Sequence, residues 1–350
     1  MTRSRTRSLL FSALAVLLVL GALEGGARLL ERSSDVLLGP FEIDVVPDVL
    51  GFEPHHPVGH LDLDTFANVG GYNGTYHPPE RRPDTLRVAV LGDSFTFGWG
   101  VPAEQAWPAL LEQRLDVELA RAGIDAEVLN FGVPGYNTWL ELLHWRRVVS
   151  RYAPDVVLLG YYSNDAVIDR RVPNVYALCP EPPPKGPARV AAVMERSALA
   201  RVAHDLYWVA RVGSPLPPWD GKDVLGEEHY GFRCSMEWVK SLARDVESTG
   251  ARFAVVQLPH MDGLADPYDP EGAAHERLRQ GLEDRGLTTD SLYPRLAGQD
   301  GAALSNADAH PNAAGNRAIL DALWPVTGQW LLAKGLAQAS RGDAANDASP

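Results

Sequence analysis

Two cysteines, Cys179 and Cys234, are all that 350 residues contain, too few for a disulfide framework or a thiolate metal centre. In an oxidising compartment the two could still pair and pin the segment between them. Cations are also scarce. The 32 Lys and Arg stand against 45 Asp and Glu, a net charge of −13, which argues against a nucleic-acid partner because phosphate binding needs clustered positive side chains. No internal repeat is visible. An apolar share of 45% with 22% charged residues excludes wholesale disorder, and the length allows one large domain or two modest ones.

What is present begins at the N-terminus. Arg3, Arg5 and Arg7 precede an apolar run from Leu9 to Leu23, the layout of an export signal or a signal anchor. Gly25, Gly26, Ala27, Leu29 and Leu30 can extend that run toward the ~20 residues that span a bilayer. Gly25 and Ala27 could instead serve a signal peptidase, and a buried helix is the bland alternative. Residues 1–32 are read as an uncleaved transmembrane anchor, with the bulk of the chain outside the cytoplasm (periplasmic or extracytoplasmic), or secreted if the segment is cleaved. No cysteine follows the run to carry a lipid.

Residues 33–83 are rich in Pro, Gly, Asp and His and read as an irregular lead-in. Short apolar runs then alternate with helical stretches. Leu86–Leu91, Ala126–Asn130, Asp155–Gly160 and Arg252–Leu258 read as strands. Glu104–Ala122, Thr138–Tyr152, Met236–Thr249, Gly272–Arg285 and Asn312–Lys334 read as helices. The pattern predicts an α/β domain over 84–339, a mostly parallel sheet with helices on both faces and ligands at the carboxyl ends of its strands. Two proline-rich stretches mark an insertion at 168–233, either a lid or a plain surface excursion. Residues 340–350 are small and polar and read as a disordered tail.

Chemistry-bearing residues gather at those strand ends. Gly92-Asp93-Ser94 follows the first strand; Ser94 is either a nucleophile on a strand-to-helix turn or a helix cap. The second strand leads to Gly135-Tyr136-Asn137-Thr138, where glycine lets the backbone offer an N–H to a ligand and Asn137 or Thr138 can cap the next helix. The third ends in Ser163-Asn164-Asp165, a donor amide or an Asx turn. Asp308 stands two residues before His310, close enough to orient an imidazole acting as base.

In this order the four blocks resemble the SGNH/GDSL hydrolase family. The resemblance covers roughly 86–331 and implies a three-layer α/β/α, flavodoxin-like fold. It implies Ser94 as nucleophile, His310 as base and Asp308 as its orienter. The Ser94 and Gly135 N–H groups and the Asn164 amide would form an oxyanion hole, with no metal or cofactor. Asp-x-His replaces the commoner Asp-x-x-His, as in a branch that handles polysaccharide O-acetyl groups. The expected function is therefore hydrolysis of acyl esters, O-acetyl among them, on a small ester or an acylated glycan or lipid. An O-acyltransferase acting on envelope polysaccharide and a non-catalytic glycan-binding envelope protein are the alternatives.

Other features weigh less. His55, His56, His60, Asp62 and Asp64 lack defined ligand spacing for a metal, and Asp266–Pro270 reads as a turn. Tyr136 and His260 are expected to line the substrate pocket, and Trp99, Trp107, Trp139 and Trp145 to fill core or pocket wall.

Overall fold

The computed structural model describes residues 2–33, 72–166, 179, 193, 196–212, 225–226, 229–265, 270–307 and 309–347. Contacts divide the chain into two units: 1–47, 53–61 and 168–220 form one, and 48–52, 62–167 and 221–350 the other. The metal-like histidine cluster, Asp266–Asp269 and most of the expected insertion lie outside the described residues.

The larger unit is built on five parallel strands, β1 (Thr85–Gly92), β2 (Asp125–Gly132), β3 (Val156–Tyr161), β4 (Arg252–Gln257) and β5 (Thr289–Ser291), in the order β2-β1-β3-β4-β5. A parallel sheet is buried on both faces, so its strands read as unbroken apolar runs. One face carries Leu86, Val88, Val90, Leu158 and Val256 into a core with α3 (Trp107–Leu119), α10 (Ala313–Leu323) and α11 (Gln329–Asp347). Against the other face pack α4 (Thr138–Arg147) on β1 and α6 (Tyr230–Glu247) on β4. The expected α/β layering with a parallel sheet is present. The short helices α2 (Ser94–Phe97), α8 (Tyr293–Leu296) and α9 (Gly301–Leu304), with α7 (Pro270–Glu283), complete this unit.

Three departures have physical causes. Strand β5 is only three residues, all of them polar, so no apolar run announced it. A π-turn at Trp324–Gly328 breaks the expected last helix, and α11 then continues to Asp347, into the tail expected to be disordered. Its alanines favour helix despite the polar composition. Finally, the lead-in is not all linker. Tyr72 and Asn73 are buried, and the wholly buried Arg87 reaches back to it. Arg87 Nη1 donates to Pro79 O at 2.9 Å and to Tyr152 O at 2.8 Å, Nη2 to Pro78 O at 3.0 Å, and Nε to Glu127 Oε2 at 2.7 Å.

In the smaller unit, α1 (Thr2–Ser33) meets α5 (Ala198–Val212). Glu24 on α1 accepts from the backbone N–H of Leu199 (3.1 Å) and Ala198 (2.9 Å) and from the Ser197 hydroxyl (2.8 Å), capping α5 from another helix. Those donors, Leu199 first, hold its carboxyl down at about 2. Leu14, Val16, Leu17, Leu18, Val19, Leu20 and Leu23 are exposed on α1. Even so, among the described residues no helix is long and apolar enough to cross a membrane, so the membrane-spanning reading of residues 1–32 has no support from the fold. Both cysteines are disulfide-bonded.

Candidate active site

Every described residue of the site lies in the larger unit, at the carboxyl ends of β1, β2 and β3. Three glycines stand there in one register row, Gly132–Gly92–Gly160. A Cβ on Gly92 or on Gly160 would fall 2.2 Å from Thr96 Oγ1, and one on Gly132 would fall 2.4 Å from Phe97 N. The missing side chains make the hollow in which α2 sits on the sheet end. The row admits the turn that carries Ser94.

Asp93 caps α2, its Oδ1 accepting from Phe95 N at 2.9 Å. Ser94 therefore occupies the first helical position, where a backbone N–H has no partner within the helix. Its Oγ lies 2.8 Å from His310 Nε2. His310 is carried by a turn that Asn306 N ties back to His310 O at 2.7 Å, with Ala309 at φ 67°. Asn312 caps α10 immediately after it, accepting from Ala314 N and Gly315 N. Asn316, one turn into α10, donates to Pro311 O and accepts from Trp107 N, each at 3.0 Å, bracing that turn against the start of α3. The His310 ring meets Phe95 at 5.1 Å and Trp99 at 6.2 Å. Asp308 lies outside the described residues.

Asn164 follows β3, and its Nδ2 donates to Asp93 Oδ2 at 2.6 Å. Asp93 thus joins the nucleophile turn to the third block, a link with no signature in sequence. Burial raises its carboxyl to about 7 against these opposing hydrogen bonds. Behind it Asp165 Oδ2 accepts from Tyr162 N at 2.8 Å. The Asp165 and Glu141 carboxyls are wholly buried, and both are raised, chiefly by that burial and then by the charge of neighbouring carboxylates.

Gly135, at φ 80°, is exposed on the loop after β2, a conformation glycine adopts without strain. Asn73, from the lead-in, and Asn130 both donate to Phe97 O, at 2.6 and 3.2 Å, and clamp the end of α2. Tyr136, expected at the pocket, is instead buried and meets His144 edge-on at 5.8 Å, so it packs the interior. His260 borders a small recess together with Ser163, Leu225, Leu258, Ala274, His275 and Leu278. Of the tryptophans, Trp107 and Trp145 are core, Trp139 meets Trp238 at 5.8 Å, and Trp99 stands by His310. Among the described residues no group of His, Cys, Asp and Glu is arranged to hold a metal ion.

The profile of the GDSL-like lipase/acylhydrolase family matches residues 90–318. An arylesterase of Vibrio mimicus is 32% identical over 81 residues, covering 23% of this chain and 38% of the arylesterase, well short of that relative's full length. Among solved structures, a psychrotrophic esterase of Pseudoalteromonas sp. is similar at 16% identity and a TM-score of 0.40, over 70% of this chain and 98% of that one. A two-domain esterase active on acetylated mannans shows 15% identity and a TM-score of 0.43, over 73% of this chain and 50% of that one. With a profile that spans the Ser94, Asn164 and His310 turns, the chain belongs to the GDSL-like lipase/acylhydrolase family.

Proposed function

We propose that the protein is a serine esterase that cleaves acyl esters through an acyl-enzyme on Ser94. The observation that carries this reading is the 2.8 Å contact between Ser94 Oγ and His310 Nε2 at the head of α2. Serine is a poor nucleophile until a neighbouring base takes its proton. As Oγ attacks the ester carbonyl, the proton passes to Nε2, and the carbonyl oxygen becomes an oxyanion. The Ser94 and Gly135 N–H groups and the second Nδ2 hydrogen of Asn164 receive that charge. Collapse breaks the bond to the alcohol, which leaves with the proton from Nε2. Water then attacks the acyl-enzyme with His310 again as base, releasing the acid and restoring Ser94. Asp308, two residues away in sequence, is assigned the role of holding the imidazole.

The acyl part we favour is short, an O-acetyl group, on the strength of the Asp308-x-His310 spacing. For location we propose an extracytoplasmic protein held or delivered by α1. The arginine flank of the apolar run and the oxidised cysteines support this.

Labelling with a serine-directed phosphonate tests the chemistry. Wild type is expected to take up one phosphonate and lose activity on p-nitrophenyl acetate, and Ser94→Ala to take up none. Equal labelling of the two proteins would sink the assignment.

A further inference from the structure

The turn that carries Asn164 is held from two sides. Asp93 holds one, through the 2.6 Å bond to Asn164 Nδ2. On the other, His260, just past β4, spends both ring nitrogens on consecutive residues of that turn. Its Nδ1 lies 2.5 Å from Tyr162 Oη and its Nε2 2.7 Å from Ser163 Oγ. A neutral imidazole has one donor and one acceptor, and each hydroxyl can supply the complement, so both bonds form in either tautomer. Tyr162 and Ser163 are each 5% exposed, so these bonds have little competition from water.

The Tyr162 ring also stacks on Phe95, the neighbour of Ser94, at 3.8 Å and 21°. Phe95 N donates to Asp93, and Asp93 accepts from Asn164. The contacts therefore close a circuit: Asp93, Asn164, Ser163, His260, Tyr162, Phe95 and back to Asp93. A closed circuit of directed contacts fixes the relative placement of its members, whereas an open one leaves a hinge. Removing His260 takes away the side-chain bonds on Tyr162 and Ser163 and leaves the backbone alone to set the turn just before Asn164.

We infer that His260 is a positioning residue for ester cleavage, holding the Asn164 amide at its angle to Ser94 by clamping Tyr162 and Ser163. The inference rests on the esterase reading above. His260 need not touch the ester to act; it works through the turn. A misplacement of about 1 Å in such a group can cost up to ~10²-fold in rate.

Kinetics of the full chain on p-nitrophenyl acetate test this. His260→Ala is expected to lower kcat about tenfold or more while KM changes less than about twofold, because a transition-state contact is loosened rather than substrate binding. Asn164→Ala is expected to lower kcat by about 10²-fold or more. Adding His260→Ala to Asn164→Ala is then expected to lower it no further. Ser163→Ala and Tyr162→Phe each remove one bond and are expected to give partial losses of the same kind; they carry the test if His260→Ala does not fold. Independent, multiplicative losses in the double variant would overturn the inference, as would unchanged kcat in all three of the His260, Ser163 and Tyr162 variants. Absence of any Ser94-dependent turnover in wild type would overturn the esterase reading itself, and the inference with it.

Discussion

At the scale of single residues, the costly feature is the trio of buried carboxyls behind the reactive serine. Asp93, Glu141 and Asp165 are all shielded from water, and burial raises each of them. A carboxyl raised by folding holds its proton in the native state across a range where the unfolded chain has released it. Its contribution to stability is full below the unfolded value and is lost as pH rises through the folded one. For Asp93 that window runs from about 4 to about 7. His144, lowered to about 4 by burial, acts oppositely, gaining stability as pH rises from there to its ordinary value near 6.5. Glu141→Gln isolates one member of the trio, replacing its carboxyl with a neutral amide of nearly the same shape. The expected result is a variant whose melting temperature, relative to wild type, is higher at pH 8 than at pH 5. A difference that does not change with pH, followed by thermal melts in matched buffers, would show that Glu141 binds its proton no more tightly folded than unfolded.

At the scale of elements, α2 is the piece that the rest of the fold accommodates. Gly160→Ala places a methyl against the buried Thr96 Oγ1, so the Thr96 side chain or α2 itself must shift. Esterase activity is expected to fall by about tenfold or more, as for other small displacements of a nucleophile. Adding Thr96→Ala removes the colliding oxygen and is expected to recover most of that loss. Failure of the second change to help, in the same kinetic assay, would mean that the row of glycines serves something other than the seating of α2.

The same element shows why part of the site was legible in the sequence. Ser94 and Asn164 follow continuous apolar strands, and a parallel sheet presents such strand ends together. His310 was legible as a histidine with Asp308 two residues before it. The burial of Tyr136 against His144 was not legible, because a strand-end position says where the backbone goes, not which way a ring turns. Asn73 had no signal at all: one asparagine in an irregular stretch, 24 residues from the carbonyl it binds. Strand β5 and the Asp93–Asn164 bond were equally silent, the first for lack of apolar residues and the second because it exists only once the strands are side by side.

At the scale of the whole molecule, compartment is the open functional variable. The proposal that α1 delivers the chain across a membrane is tested by fusing alkaline phosphatase, which is active only after export, to the C-terminus in a bacterial host. Phosphatase activity in the full chain, lost when Arg3–Leu23 is deleted, is the expected result. An inactive phosphatase in the full-length fusion, with the cysteines reduced, would rule the proposal out.

The grip of Arg87 on the lead-in bears on how the domain should be cut for separate expression. A shortened chain starting at β1 looks sensible from the strand pattern. It would strand a wholly buried guanidinium whose acceptors include Pro78 O and Pro79 O, and it would discard the Asn73 amide that closes on Phe97 O. Glu127 and Tyr152 O would remain, but a buried donor left without its acceptor costs about 1–3 kcal/mol. The working boundary of the domain therefore lies upstream of Tyr72, inside what composition alone would call a tether.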